Sequence, residues 1–223
     1  MRILSVPQAR VVWIFDLARV NSKGRSLLDI IHAIGARYRF ARFPQHLLDV
    51  NSEKALEFNS GTFLKDGQDL RVGLTIYNNG VTADSISSTD ISEALLEDLA
   101  AWLAAEHDLH VKPELKRAGY LTKIEVQARA FLPLWNSQLA FLRHELESGS
   151  TAMDGEKRQF VMGGITVAPT DAGETGAPAP FQLDRKWGTK PEEHIYFSQS
   201  TMTTKDHLTL LDKIENALLG AIQ

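Results

Sequence analysis

Leu70-Arg71-Val72-Gly73-Leu74-Thr75-Ile76-Tyr77-Asn78-Asn79-Gly80-Val81-Thr82-Ala83-Asp84-Ser85 is the stretch whose reading decides the fold. Apolar side chains fall on the even positions from Leu70 to Ile76, the period of a strand buried on one face. Asn79-Gly80 tolerates positive φ at both residues, so the pattern predicts a type I′ hairpin turn there. That turn would set Ile76 opposite Ala83 and Leu74 opposite Ser85. Arg71, Thr75, Tyr77, Thr82 and Asp84 would then share the wetter face. Directly afterwards, Ser87-Ser88-Thr89-Asp90-Ile91-Ser92-Glu93 reads as a helix start, with Asp90 as N-cap and Glu93 closing a capping box. Ile91, Leu95, Leu99, Trp102 and Leu103 form one helical stripe that can cover the apolar face of the hairpin. A hairpin feeding an amphipathic helix makes the class α+β.

The flanks extend this reading. Val11 to Val20 is β-branched and aromatic and is predicted as a strand. Leu27, Leu28, Ile31, Ile34 and Tyr38 predict a helix over about residues 25–39, capped by Ser26. Gln45 to Val50 fits one or two helical turns. Lys65-Asp66-Gly67-Gln68-Asp69 is a turn, which pairs Thr62–Leu64 with the strand starting at Leu70. Tyr120 to Ala130 alternates as a strand. A helix with Pro133 in its first turn then carries Leu134, Trp135, Gln138, Leu139, Leu142 and Leu146 to Ser148-Gly149. Phe160 to Val167 is a strand interrupted by Gly163-Gly164. Phe181–Lys186 and His194–Gln199 are strands around a turn. Thr203 or Thr204 caps a last helix with Leu208, Leu211, Ile214, Leu218 and Ile222 on its buried side.

The fold expected is therefore a mixed, mainly antiparallel sheet with helices packed mostly on one face. Strand, turn, strand, Ser/Thr-rich cap and helix occur at Thr62–His107 and again at Phe181–Ile222, giving two candidate ββα units. The unit is common enough to arise without duplication. Three regions follow: an α+β domain over 1–149, a loop or linker over 150–180, and a C-terminal ββα unit over 181–223 packing on the same core. The linker reading rests on Ala168–Pro180, rich in Pro, Gly and Ala with no apolar period.

Composition narrows the function classes. The chain has 223 residues, 43% of them hydrophobic and 23% charged, in the range of a globular protein with a real core. There is no cysteine, which removes disulfides, thiolate catalysis, iron–sulfur clusters and cysteine zinc sites. Val11 to Phe15 is stopped by Asp16 without a cleavage pattern. No run approaches the roughly 18 to 20 apolar residues of a membrane span. A cytoplasmic protein with no membrane partner is expected. The formal net charge of -4 disfavours nucleic acid as a partner.

Candidate chemistry is sparse. Asp16 interrupts an apolar run, and Asp84, His194 and His207 are the other dispersed groups that could build a hydrolase site. His107-Asp108-Leu109-His110 offers two of the three or four ligands a metal needs, and Met162-Gly163-Gly164 lacks the rest of a phosphate loop. Neither metal nor cofactor is expected. Ser88, Thr89, Thr203 and Thr204 sit at two strand–helix junctions where exposed N–H groups could hold an anion; helix capping explains the same residues. Arg37, Arg39 and Arg42 interleave with Tyr38, Phe40 and Phe43, a pattern that single-stranded nucleic acid can use. With no catalytic constellation visible, the leading expectation is a non-catalytic binding or assembly protein. It would work through protein–protein contacts or self-association, with Trp187, Tyr196 and Phe197 as the exposed aromatics of a partner surface.

Overall fold

The computed structural model describes residues 1–21, 23–46, 55–132, 140–154, 160, 162–170, 172 and 177–220. It is α+β: the strands are β1 (Arg2–Ile14), β2 (Leu56–Lys65), β3 (Gln68–Tyr77), β4 (Gly80–Ser85), β5 (Arg117–Gln127), β6 (Gly164–Val167), β7 (Phe181–Arg185) and β8 (Ile195–Ser200). The helices are α1 (Leu17–Val20), α2 (Leu27–Arg37), α3 (Thr89–His107), α4 (Val111–Glu114), α5 (Ala140–Asp154) and α6 (Thr204–Gly220). The chain divides into two compact units. The larger comprises Ser5–Ile124 with Ser200–His207; the smaller comprises Met1–Leu4, Glu125–Gln199 and Leu208–Gln223. The division passes through β1, β5, β8 and α6, instead of lying in a linker at 150–180.

In the larger unit the strands lie in the order β2-β3-β4-β1-β5. Alternation decides the faces. Val11 and Trp13 of β1 stand beside Ala83 and Val81 of β4, which stand beside Leu74 and Ile76 of β3. These meet Ile30, Ile31 and Ile34 of α2 and Leu95, Leu96, Leu99 and Leu103 of α3 in one buried cluster. Burying each such large side chain contributes roughly 1.5–3 kcal/mol. The helices thus cover one face of this sheet. In the smaller unit β5, β8, β7 and β6 are neighbours in that order. Leu183 and Tyr196 of its strands are buried, as is Leu211 of α6.

The hairpin exists, with a different register from the one its sequence suggests. Tyr77 pairs with Gly80, Ile76 with Val81 and Leu74 with Ala83. The apex is therefore Asn78-Asn79, and neither is among the residues of positive φ. Gly80 opens β4, at a position where a Cβ would lie 2.2 Å from the Trp13 carbonyl oxygen. The shift is by two residues per partner, so every side chain keeps the face that its parity assigns.

Other expectations need correcting too. β1 runs from Arg2 to Ile14 and stops before Asp16, so Val11–Val20 is not one strand. The cap of α3 is not Asp90: the helix starts at Thr89 after Ser88. Thr203 does cap α6, its hydroxyl accepting from Asp206 N at 3.2 Å. The helix start around Pro133, with Leu134, Trp135, Gln138 and Leu139, lies outside the described residues, as does Ile222. The repeat is also longer than ββα. The order β1-helix-β2-β3-β4-α3 recurs as β5-α5-β6-β7-β8-α6, and each set has its first strand beside its fourth.

Candidate binding face

Helices α2 and α3 pack on one face of the larger unit's sheet, and among the described residues no helix of that unit covers the other. Gln8, Arg10 and Val12 of β1, Thr82 and Asp84 of β4, Gly73 and Thr75 of β3, and Lys123 of β5 occupy it at alternate positions. Arg10 stands opposite Asp84, and Asp84 opposite Gly73. Arg10 grips the Asp84 carboxylate with two hydrogen bonds, Nε at 2.8 Å and one terminal nitrogen at 2.9 Å. Gln8 Nε2 donates to the same carboxylate at 2.9 Å. A bidentate, part-buried pair of this kind is charge-assisted and geometrically fixed. The Asp84 hydrogen bonds hold Arg10 above its ordinary value.

A basin of about 350 Å³ opens beside this pair, lined by Gln8, Arg71, Gly73, Asp84, Ile86 and Lys123 among others. Its size falls in the range of ligand pockets. β2 carries an irregularity between Phe58 and Gly61, with Ser60 at φ 58°, along the basin's rim. Arg71 and Lys123 have no ion-pair partner among the described residues, whereas Arg37 and Arg39 each have one. On the same face the Thr82 hydroxyl is buried without a hydrogen-bond partner among the described residues. Two cations and one hydroxyl thus keep unspent polar capacity.

Of the residues singled out from sequence, Asp84 lies on this face and the others fall elsewhere. Asp16 caps α1, accepting from Ala18 N at 3.0 Å. His207 is fully buried, its Nδ1 2.6 Å from Thr122 Oγ1. Burial pushes its pKa down to about 4, so it is neutral at pH 7. Asp16, Asp84 and His207 each spend their polar atoms on different structural partners, and no hydrogen bond joins any two of them. His194 lies in the smaller unit at φ 52°, its carbonyl accepting from Ala128 N and its Nδ1 buried without a partner among the described residues. Among the described residues no three His, Asp or Glu side chains gather as metal ligands. His110 turns to Asp108, and the His107 ring packs edge-on to Trp102.

The two hydroxyl-rich junctions do meet, at Thr89 and Thr204. Thr89 N donates to Thr204 Oγ1 at 2.9 Å, and Thr204 N donates to Thr89 Oγ1 at 3.0 Å. Ser88 offers its carbonyl to the Ser85 hydroxyl and makes no side-chain cap. Each helix start therefore hands one orphan N–H to the other helix's hydroxyl.

The aromatic partner surface needs correcting at Tyr196, which is 1% exposed, its hydroxyl accepting from Leu132 N at 3.0 Å. It shares the buried parity of β8 with Ser198 and Ser200. Phe197 is half-buried on the opposite parity, and Trp187 is 70% exposed under the Arg185 guanidinium. The Arg37–Phe43 stretch is likewise committed to structure. Tyr38 and Phe40 are in the core, Arg37 pairs with Asp98 and Arg39 with Asp69.

No protein-family model matches the chain, and no curated protein matches it. Among solved structures it is similar to Methanococcus jannaschii TBP. That likeness covers 98% of each chain at 11% identity, with a TM-score of 0.44. The expectation that disfavours nucleic acid as a partner on net charge is corrected: a net charge of -4 says nothing of a local face, and this one carries Arg71 and Lys123 without ion-pair partners among the described residues. Among the described residues no helix is long and apolar enough to cross a membrane.

Proposed function

We propose that this is a non-catalytic binding protein whose recognition surface is the uncovered sheet face of the larger unit. The observation that carries this reading is the basin itself: about 350 Å³, with Arg71 and Lys123 unpaired among the described residues on its walls. Cations without partners on a concave, half-polar surface suit an anionic group of a protein partner or of a second copy of this chain. Ile86 and Pro7 add apolar area of the kind protein interfaces use.

Gly73 supplies the test. A Cβ there would make ordinary van der Waals contact, 3.7 Å from Asp84 Cβ and the Phe58 carbonyl oxygen, so the backbone position accepts a side chain, and a bulky one fills part of the basin. Wild type and Gly73→Phe, each as the full chain, are immobilised and exposed to extract of the source cell. A set of proteins held by wild type and lost by Gly73→Phe, with the unfolding midpoint unchanged, is the expected result. Equal retention by both overturns the reading. Recovery of nucleic acid in place of protein reassigns the face to nucleic-acid binding.

A further inference from the structure

The two unpaired cations of the basin are not neighbours. Arg71 is on β3 and Lys123 on β5, three strand intervals apart along β3-β4-β1-β5. At about 4.8 Å per interval their strands are about 14 Å apart. Both line the same basin, so the space between them is continuous. Its middle is filled by Arg10, Asp84 and Gln8, where the guanidinium and carboxylate cancel each other. The pattern along the basin is therefore cation, neutral pair, cation.

We infer that the basin takes an extended, acidic protein segment lying across the strands, with carboxylates at positions i and i+4 on Arg71 and Lys123. This rests on the binding reading proposed above. An extended chain advances about 3.4 Å per residue, so i and i+4 are about 14 Å apart. They also point to the same side, because an even separation preserves the face. A helix would place the same two residues only about 6 Å apart. The intervening positions carry no charge requirement, which suits the neutral centre. A polynucleotide repeats its charge at every nucleotide, whereas the basin offers cations at its two ends and a neutral pair between them. The segment is read by its side chains: β3, β4 and β1 are interior strands of the larger unit, so they offer no free edge for an added strand.

The test uses the full-length chain and labelled peptides of about nine residues in a Gly/Ser/Thr background, followed by fluorescence anisotropy. One peptide carries glutamates at i and i+4, a second at i and i+1, and a third carries lysines at i and i+4. A thymidine oligonucleotide of similar length is the fourth probe. The i,i+4 glutamate peptide should bind about tenfold tighter than the i,i+1 peptide, and Arg71→Glu or Lys123→Glu should each weaken it about tenfold. The Arg71→Glu/Lys123→Glu double variant should instead prefer the lysine peptide. Both side chains lack partners among the described residues, so the reversals disturb no internal pair. Equal affinity for the two glutamate spacings, no preference switch in the double variant, or tighter binding of the oligonucleotide overturns the inference. If Gly73→Phe still abolishes partner capture while the peptides fail, this inference falls and the binding reading stands. If Gly73→Phe changes nothing, both fall.

Discussion

Gly73 and Gly80 show how differently one residue type can be used within a single hairpin. Gly80 lets β4 approach β1 so closely that a methyl group would strike the Trp13 carbonyl, whereas a Cβ at Gly73 would make only ordinary van der Waals contact, 3.7 Å from Asp84 Cβ and from the Phe58 carbonyl oxygen. His207 shows the same sensitivity to surroundings through its charge. Its folded pKa is near 4 because burial disfavours the imidazolium, against an ordinary value of 6.5. A lowered histidine pKa means that the unfolded chain binds the proton more readily. The stability it supports is complete above about pH 6.5 and is lost as pH falls towards 4. Each pH unit within that window should cost up to about 1.4 kcal/mol. Urea midpoints measured from pH 7 to pH 4 should fall in wild type and fall less steeply in His207→Gln. Parallel slopes would mean that another group governs the acid limb. His207 is plain in the sequence, but its burial against Thr122 comes from a strand 85 positions away, and no local pattern announces that.

At the scale of elements, the reciprocal caps of α3 and α6 are the feature most open to measurement. Replacing Thr89 or Thr204 by alanine strands a buried N–H on the opposite helix. Each change should cost about 1–2 kcal/mol in chemical unfolding. Serine at either position keeps the oxygen and should restore most of it; a serine variant as weak as alanine would show that the methyl group matters instead. The strands and long helices were legible because their apolar periods, two and about 3.6, are local properties of the chain. The turn register was not: Gly80 belongs to β4 and lies against a carbonyl of β1, about 65 positions earlier, which no local pattern shows. Asp90 was misread as a cap for a similar reason: the oxygen that serves Thr89 N belongs to Thr204. The candidate binding face was half legible. The alternation in the hairpin already puts Arg71 and Asp84 on one wet face. Gln8-Ala9-Arg10-Val11-Val12-Trp13 carries a similar alternation that would have added Gln8 and Arg10, but which strand pairs with which is not written locally. Lys123 needed the pairing of β5.

At the scale of the molecule, neither compact unit is a continuous piece of chain. The larger unit takes Ser200–His207 from far beyond its other residues. A fragment ending at residue 199 lacks Thr204 and His207 while retaining every strand of the larger unit's sheet. Hydrogen exchange of that fragment should show the first amides of α3 exchanging faster than in the full chain, with slower exchange kept in the β3–β4 hairpin. Unchanged protection at Thr89 would mean that α3 does not depend on α6 for its start. The doubled order of strands and helices explains why the ββα likeness was visible in sequence but too short. The second copy's leading strand and helix are separated from its hairpin by Ala168–Pro180, which breaks the pattern by eye.

The Thr89–Thr204 pair also orders events in time. The two residues are 115 positions apart. During synthesis α3 leaves the ribosome with its first N–H groups facing water, and it stays so until Thr204 has followed. Until then the leading end of α3 lacks the hydroxyl oxygen that the finished fold supplies to Thr89 N.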